Sequence, residues 1–192
     1  MWIELTQVTD FIGSYPFRAA IRSESDGDVA VIQLADASPA PSRDLGRTVP
    51  LLRNREGKFD RYLLKPGDVL VQARGFRNPA GLVSVNSPVI AAPGLHALRP
   101  HPEHILPEYL YWCLNHPKIQ SAFAEVAQGS HAPYISKQTL MKVQIPVPRL
   151  AVQHNIIHVD QLRQSERQFA EQLAAARDEL TNEKTWRAAI TP

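Results

Sequence analysis

The sequence predicts an α+β protein, a mixed globular domain followed by a long C-terminal coiled-coil helix, and three observations carry that reading. All nine glycines lie at or before Gly129, and fifteen of the sixteen prolines at or before Pro148. Residues 150–187 contain neither and are rich in Ala, Gln, Glu and Arg, so strong helix formers run there without the two strongest breakers. Val159, Leu162, Glu166, Phe169, Leu173, Ala176 and Leu180 follow a 3–4 spacing along this stretch, which is a heptad seam with one polar member.

Residues 1–149 form the expected globular domain, 150–187 the helix and 188–192 a tail. Within the domain, strands are predicted at Val29–Leu34, Arg61–Leu64, Val69–Ala73, Leu82–Val85, Val89–Ala91 and Val143–Val147. These runs are rich in β-branched residues and bounded by Gly, Pro, Asp or Asn. Two consecutive helices are expected at Pro107–Asn115 and Pro117–Gln128, each opening on a proline that the first turn tolerates. Ser136 is an N-cap candidate for a short helix through Lys142. Leu110, Trp112, Cys113 and Leu114 read as core. The seam of residues 150–187 cannot bury itself. It therefore needs a second helix or its own domain to lie on, and the length of the stretch favours a second helix.

Composition narrows the function classes. The chain has 192 residues, of which 44% are hydrophobic and 21% charged, enough for one domain with an appendage. No apolar stretch approaches the roughly 18 residues of a membrane span, and the single Cys113 excludes an internal disulfide. A soluble, cytoplasmic protein is expected, with no membrane partner. The net charge is only +2. Nine basic and four acidic side chains nevertheless fall within residues 43–77, among them Arg43, Arg47, Arg53, Arg55, Lys58, Arg61, Lys65, Arg74 and Arg77. Such an excess could serve a polyanion, but on charge alone a solvated, loop-rich surface is the favoured reading.

Signs of catalysis are missing. There is no glycine-rich phosphate loop, nucleotide-binding fingerprint or nucleophile elbow. His154 and His158 share a helix face without an evident third ligand, and His101 and His104 lack a cysteine pair. Cys113 sits among aromatic residues, as an inert core thiol would. No catalytic residue, metal site or cofactor is expected.

Three local patterns then occur in order: Pro66-Gly67-Asp68-Val69-Leu70-Val71, Gly129-Ser130 with Ile135-Ser136, and Ile145-Pro146-Val147-Pro148 followed by Leu150, Gln153 and Ile156. With Asp10-Phe11-Ile12-Gly13 and the Pro107-Glu108-Tyr109-Leu110 helix start, they resemble the recurrent segments of type I restriction–modification specificity subunits over almost the whole chain. The resemblance implies a DNA target recognition domain and a long helix that sets the spacing between two such domains. It also implies partners: double-stranded DNA, a DNA methyltransferase subunit and, in restriction complexes, a motor-nuclease subunit. Members of that family usually carry two domains and two antiparallel helices. This chain carries one of each and resembles a half subunit, which would restore the arrangement as a homodimer or with another half.

On that resemblance, Arg43, Arg47, Arg53, Arg55 and Lys58 are candidate phosphate contacts. Arg74, Arg77, Asn78, Ser130, His131, Tyr134, Lys137 and Gln138 are candidates for base edges, since Arg can pair with guanine and Asn or Gln with adenine. Val159, Leu162, Phe169, Leu173, Ala176 and Leu180 are the candidate dimerisation residues. The competing reading is an interaction scaffold that recruits partners through the helix and binds no DNA. A stand-alone nuclease or methyltransferase is disfavoured by the missing motifs.

Overall fold

Strand pairing in this protein joins segments far apart in sequence. The computed structural model describes residues 1–34, 36, 50–75, 77–127 and 133–190. Among them nine strands occur: β1 Trp2–Glu4, β2 Thr9–Phe11, β3 Val29–Ile32, β4 Leu51–Leu52, β5 Val69–Gln72, β6 Ala80–Leu82, β7 Val89–Ala91, β8 Leu95–Pro100 and β9 Gln144–Pro146. The helices are α1 Pro107–Asn115, α2 Pro117–Ala127, α3 Lys137–Met141 and α4 Leu150–Ile190. None of the described helices is long and apolar enough to cross a membrane. The chain divides into two units, Met1–Gln153 and His154–Pro192.

In the first unit, a four-stranded antiparallel sheet has the order β2-β8-β5-β6, and a three-stranded sheet the order β4-β3-β7 with β3 and β7 parallel. The first strand closes against the last, pairing Trp2 with Pro146 and Glu4 with Gln144. One core cluster lies between the two larger sheets, where Ile32, Val89 and Ala91 meet Leu70, Leu95 and Ala97. A second gathers Val29, Val31, Leu52, Phe59 and Ile90. Each fully buried large aliphatic side chain is worth about 1.5–3 kcal/mol, so both clusters contribute substantially to the stability of the unit.

Several expected elements occupy the predicted residues. α1 and β7 have the predicted bounds, and Ser136 caps α3 by accepting from the Thr139 amide at 3.1 Å. Leu110, Cys113 and Leu114 are buried, while Trp112 is half-buried against the rings of Tyr109 and His116. Burial pushes the Cys113 thiol up to about 12, so at neutral pH it is an un-ionised core side chain.

Other expectations need correction. Arg61–Leu64 is no strand: residues Asp60–Tyr62 make a 3-10 turn closed by the bond from Tyr62 N to Phe59 O at 2.8 Å. The six-residue β8 was not foreseen, nor were β1, β2 and β4. The helix runs through residues 188–190, past the 150–187 that the sequence predicts, so these three are not tail.

Two polar side chains are buried where the recognised motifs lie. Asp68, 1% exposed, accepts from the Lys65 amide at 2.8 Å and from Arg99 Nε and Nη2 at 2.8 and 2.7 Å. Gly67 before it has φ +93°, and a Cβ there would meet Pro107 Cγ at 3.2 Å, so Pro-Gly-Asp turns the chain beneath the start of α1. Gln153 is fully buried. Its carbonyl oxygen accepts from Leu106 N at 2.9 Å, and its amide nitrogen donates to His104 O and Pro148 O at 2.9 and 2.8 Å.

Candidate nucleic-acid interface

Two clusters of exposed side chains in the first unit combine cations with aromatic rings, and they share no residue. The first begins where β5 ends. Residues 73–75 receive the segment Pro133–Ile135 as an added antiparallel rung: Ile135 N donates to Ala73 O at 2.8 Å, Gly75 N donates to Pro133 O at 3.1 Å, and Arg74 bridges to Tyr134. Alternation along these extended segments sends Ala73, Pro133 and Ile135 inward and leaves Arg74 and Tyr134 exposed.

Beside the rung stands His96 of β8, 6% exposed, with Nε2 2.6 Å from the Ile135 carbonyl. Burial lowers its pKa and outweighs the opposing effect of that hydrogen bond. The ring is therefore neutral at pH 7, and because a carbonyl only accepts, Nε2 carries the proton. The imidazole sits between Tyr134, at 5.9 Å between ring centroids, and Phe11 of β2, at 5.3 Å. The Arg74 guanidinium lies 5.9 Å from the Tyr134 ring centroid and Lys137 Nζ 4.6 Å from that of Phe11. The result is a row of tilted and edge-on ring contacts, Arg74–Tyr134–His96–Phe11–Lys137, with an exposed cation at each end. Next to it a cleft of about 590 Å³ is lined by Thr6, Thr9, Asp10, Phe11, Lys137 and Gln138 together with Met141.

The second group lies over the core cluster that holds Phe59. Tyr15 packs edge-on against Phe17, Phe59 and Tyr62, with centroids 4.8–5.3 Å apart. A groove of about 880 Å³ opens over these rings and is rimmed by Arg18, Arg22, Arg53, Arg55, Lys58 and Arg61. Arg53 is paired with Asp26 at 2.5 Å and Arg55 with Glu24 at 3.5 Å, so part of the local positive excess is compensated.

The predicted residues thus separate. Arg74, Tyr134, Lys137 and Gln138 are brought onto one face, although Arg74 and Tyr134 are sixty positions apart in sequence. Arg53, Arg55 and Lys58 join the groove. Arg77 is exposed. Asn78 needs correction: it is 1% exposed, its Nδ2 donates to Gln72 O at 2.8 Å, and its backbone is clasped by Gln120 through bonds of 3.3 and 2.9 Å. Its amide holds the turn before β6 and is not presented to a duplex. Arg43, Arg47, Ser130 and His131 lie outside the described residues. Phe11, His96, Arg18 and Arg22 were missed. A basic residue near aromatic ones, as in Tyr15-Pro16-Phe17-Arg18, was the one available signal for the last pair.

In the second unit the seam side chains are exposed: Val159 64%, Leu162 57%, Phe169 68%, Leu173 53% and Leu180 50%. Ala176 is exposed as well, and the 3–4 spacing carries on to Ile190, with Trp186 flanking it. Between them Glu183 and Arg187 occupy the next two seam positions and pair with each other.

A family model described as the type I restriction modification DNA specificity domain matches residues 14–173. Three solved structures resemble the fold. A chain from the type I R-M system, solved for its complex assembly and conformational transition, has a TM-score of 0.66 and 22% identity, over 95% of this chain and 43% of that one. The HsdS subunit from Thermoanaerobacter tengcongensis gives 0.55 and 24%, over 86% and 37%. The type I restriction-modification S subunit from M. genitalium gives 0.54 and 15%, over 94% and 44%. No curated protein matches. This chain spans less than half the length of these solved relatives.

Proposed function

Because this chain belongs to the type I restriction–modification DNA specificity family, we propose that it reads double-stranded DNA as one half of a bipartite specificity unit and performs no chemistry itself. The observation that carries the reading is that the family match runs unbroken from the domain into the helix, over residues 14–173. A scaffold that binds no DNA is not favoured by that match. The duplex-reading face is the row that ends in Arg74 and Lys137, with Tyr134, Gln138 and the exposed Arg77 beside it. Two cations held at the ends of an aromatic row suit phosphates or guanine edges, and Gln138 suits adenine.

The second half is a copy of this chain or another half subunit, paired along the seam from Val159 to Leu180. At about 1.5 Å per residue, the 41-residue helix is about 60 Å long, enough to hold two recognition domains apart along a duplex. Methylation, and cleavage where it occurs, belong to a methyltransferase subunit and a motor-nuclease subunit assembled on this unit.

The test is a titration of labelled random-sequence duplex at two salt concentrations, with the wild type and with Arg74→Ala/Lys137→Ala. The wild type binds at low salt. The double variant binds more weakly, and its log–log salt slope is shallower by about 1.8, since each phosphate contact on duplex DNA contributes about 0.9. A wild type that ignores duplex even at low salt refutes the reading.

A further inference from the structure

We propose that the groove over Tyr15 and Tyr62 is a second nucleic-acid site, and that it takes an unpaired strand whose base stacks on the tyrosines while its phosphates meet Arg18 and Arg22. This rests on the reading of the chain as a DNA-binding protein but concerns a different surface and a different form of DNA.

Charge is the first argument. Of the six cations on the rim, two are neutralised by Asp26 and Glu24. Arg18 and Arg22 are exposed and have no carboxylate partner among the described residues. Lys58 Nζ stands 5.5 Å from the Tyr15 ring centroid and Arg61 lies over Tyr62 at 4.5 Å, donating to its hydroxyl. Neither has a carboxylate partner among the described residues, so the groove is a net positive depression, and a base entering it would displace these two flexible side chains from the ring faces.

The rings decide which anion it takes. A patch that only met duplex phosphates would need no aromatic wall, because the bases of a duplex present their faces to one another. An acidic peptide would use the arginines and leave the tyrosines without a stacking partner. A splayed-out nucleotide uses both, the combination that single-strand sites employ. The wall is also fixed in place. Tyr15 N donates to Ala91 O at 2.9 Å, tying the wall to β7, and the half-buried Tyr15 and Tyr62 rest on the buried Phe59 cluster. A volume of about 880 Å³ lies within the roughly 300–1,000 Å³ of pockets that hold small ligands, so one nucleotide fits with room for its neighbours' phosphates.

The experiment is anisotropy of a short fluorescein-labelled oligothymidine against the full chain, run beside the labelled duplex. Oligothymidine should bind saturably. Arg18→Ala/Arg22→Ala should weaken it at least tenfold and reduce its log–log salt slope by about 1.4, at roughly 0.7 per phosphate on a single strand, while duplex affinity stays within about twofold. Tyr62→Leu should weaken oligothymidine several-fold without moving the slope, with melting curves checking that the variant folds. If the wild type binds duplex but not oligothymidine, or if Arg18→Ala/Arg22→Ala leaves oligothymidine untouched, the groove proposal falls alone. If oligoglutamate displaces oligothymidine as well as unlabelled oligothymidine does, stacking is refuted. Binding of oligothymidine without duplex would uphold the groove and overturn the duplex reading.

Discussion

The two units of this chain treat their unlike groups in opposite ways. In Met1–Gln153 two awkward polar side chains are taken inside and fully partnered: Asp68 accepts three hydrogen bonds, and Gln153 makes three to backbone segments 47 to 49 and five residues away. Asn78 Oδ1 alone among the described buried side-chain polar atoms has no partner. Beyond Gln153 the helix exposes Val159, Leu162, Phe169, Leu173 and Leu180 to solvent, each at least half. The first unit buries most of its large apolar side chains, whereas the second presents an exposed apolar row, the kind of surface that suits a partner. Damage should therefore read differently in each: as lost stability in the first, as lost assembly in the second.

The largest expected effect is at Arg99. Arg99→Met keeps the stem and removes two of the three partners of a carboxylate that is 2% exposed. Stranding one member of a buried pair costs about 3–5 kcal/mol. Because the Arg99 side chain is 28% exposed, water softens the loss, and about 3 kcal/mol is expected in urea unfolding. A cost below about 1 kcal/mol would show that Asp68 is solvated in the folded protein and that the contrast between the units is overdrawn.

The next effect lies on the helix. Phe169→Gln with Leu173→Gln removes two large side chains from adjacent seam positions. If the partner is a second copy, light scattering should find a wild-type dimer at micromolar concentration and a monomeric variant, with unchanged urea unfolding of the first unit. Specific duplex affinity should fall about a hundredfold, because linked half-sites gain that much or more from effective concentration. A monomeric wild type removes the homodimer and leaves pairing with another half subunit.

The same contrast explains what could be read from the sequence. α1 and the long helix were legible because proline, apolar spacing and the lack of breakers are local signals. β8 was not, since Leu95-His96-Ala97-Leu98-Arg99-Pro100 has no β-branched residue and ends in proline. It is a strand because β2 and β5 hydrogen-bond it on both sides. Arg61–Leu64 was misread as strand because its apolar residues pack inward from a turn. The interface shows the same limit. Arg74 and Tyr134 carried suitable chemistry, but the rung that joins them is purely tertiary, and Phe11 and His96 gave no sign of lying between Lys137 and Tyr134. Asn78 failed for the converse reason: an amide suited to adenine is equally suited to backbone, and here it holds the Gln72 carbonyl.

The smallest effect compares one substitution at two sites on a single helix. Gln153→Ala deletes a fully buried amide and leaves Leu106 N, His104 O and Pro148 O without their side-chain partner. An unsatisfied buried group costs about 1–3 kcal/mol, but the smaller side chain also admits water, so a total of about 2 kcal/mol is expected in urea unfolding. Gln172→Ala, at an exposed position beside Leu173, should change stability by less than about 0.5 kcal/mol. Both changes replace Gln by Ala within one helix, so the difference reports what the buried amide of Gln153 contributes through its hydrogen bonds and packing. Equal costs at the two sites would mean that Gln153 does not tie the start of α4 to residues 104–106. The placement of Gln153 five residues after Pro148 would then need a reason other than this clasp.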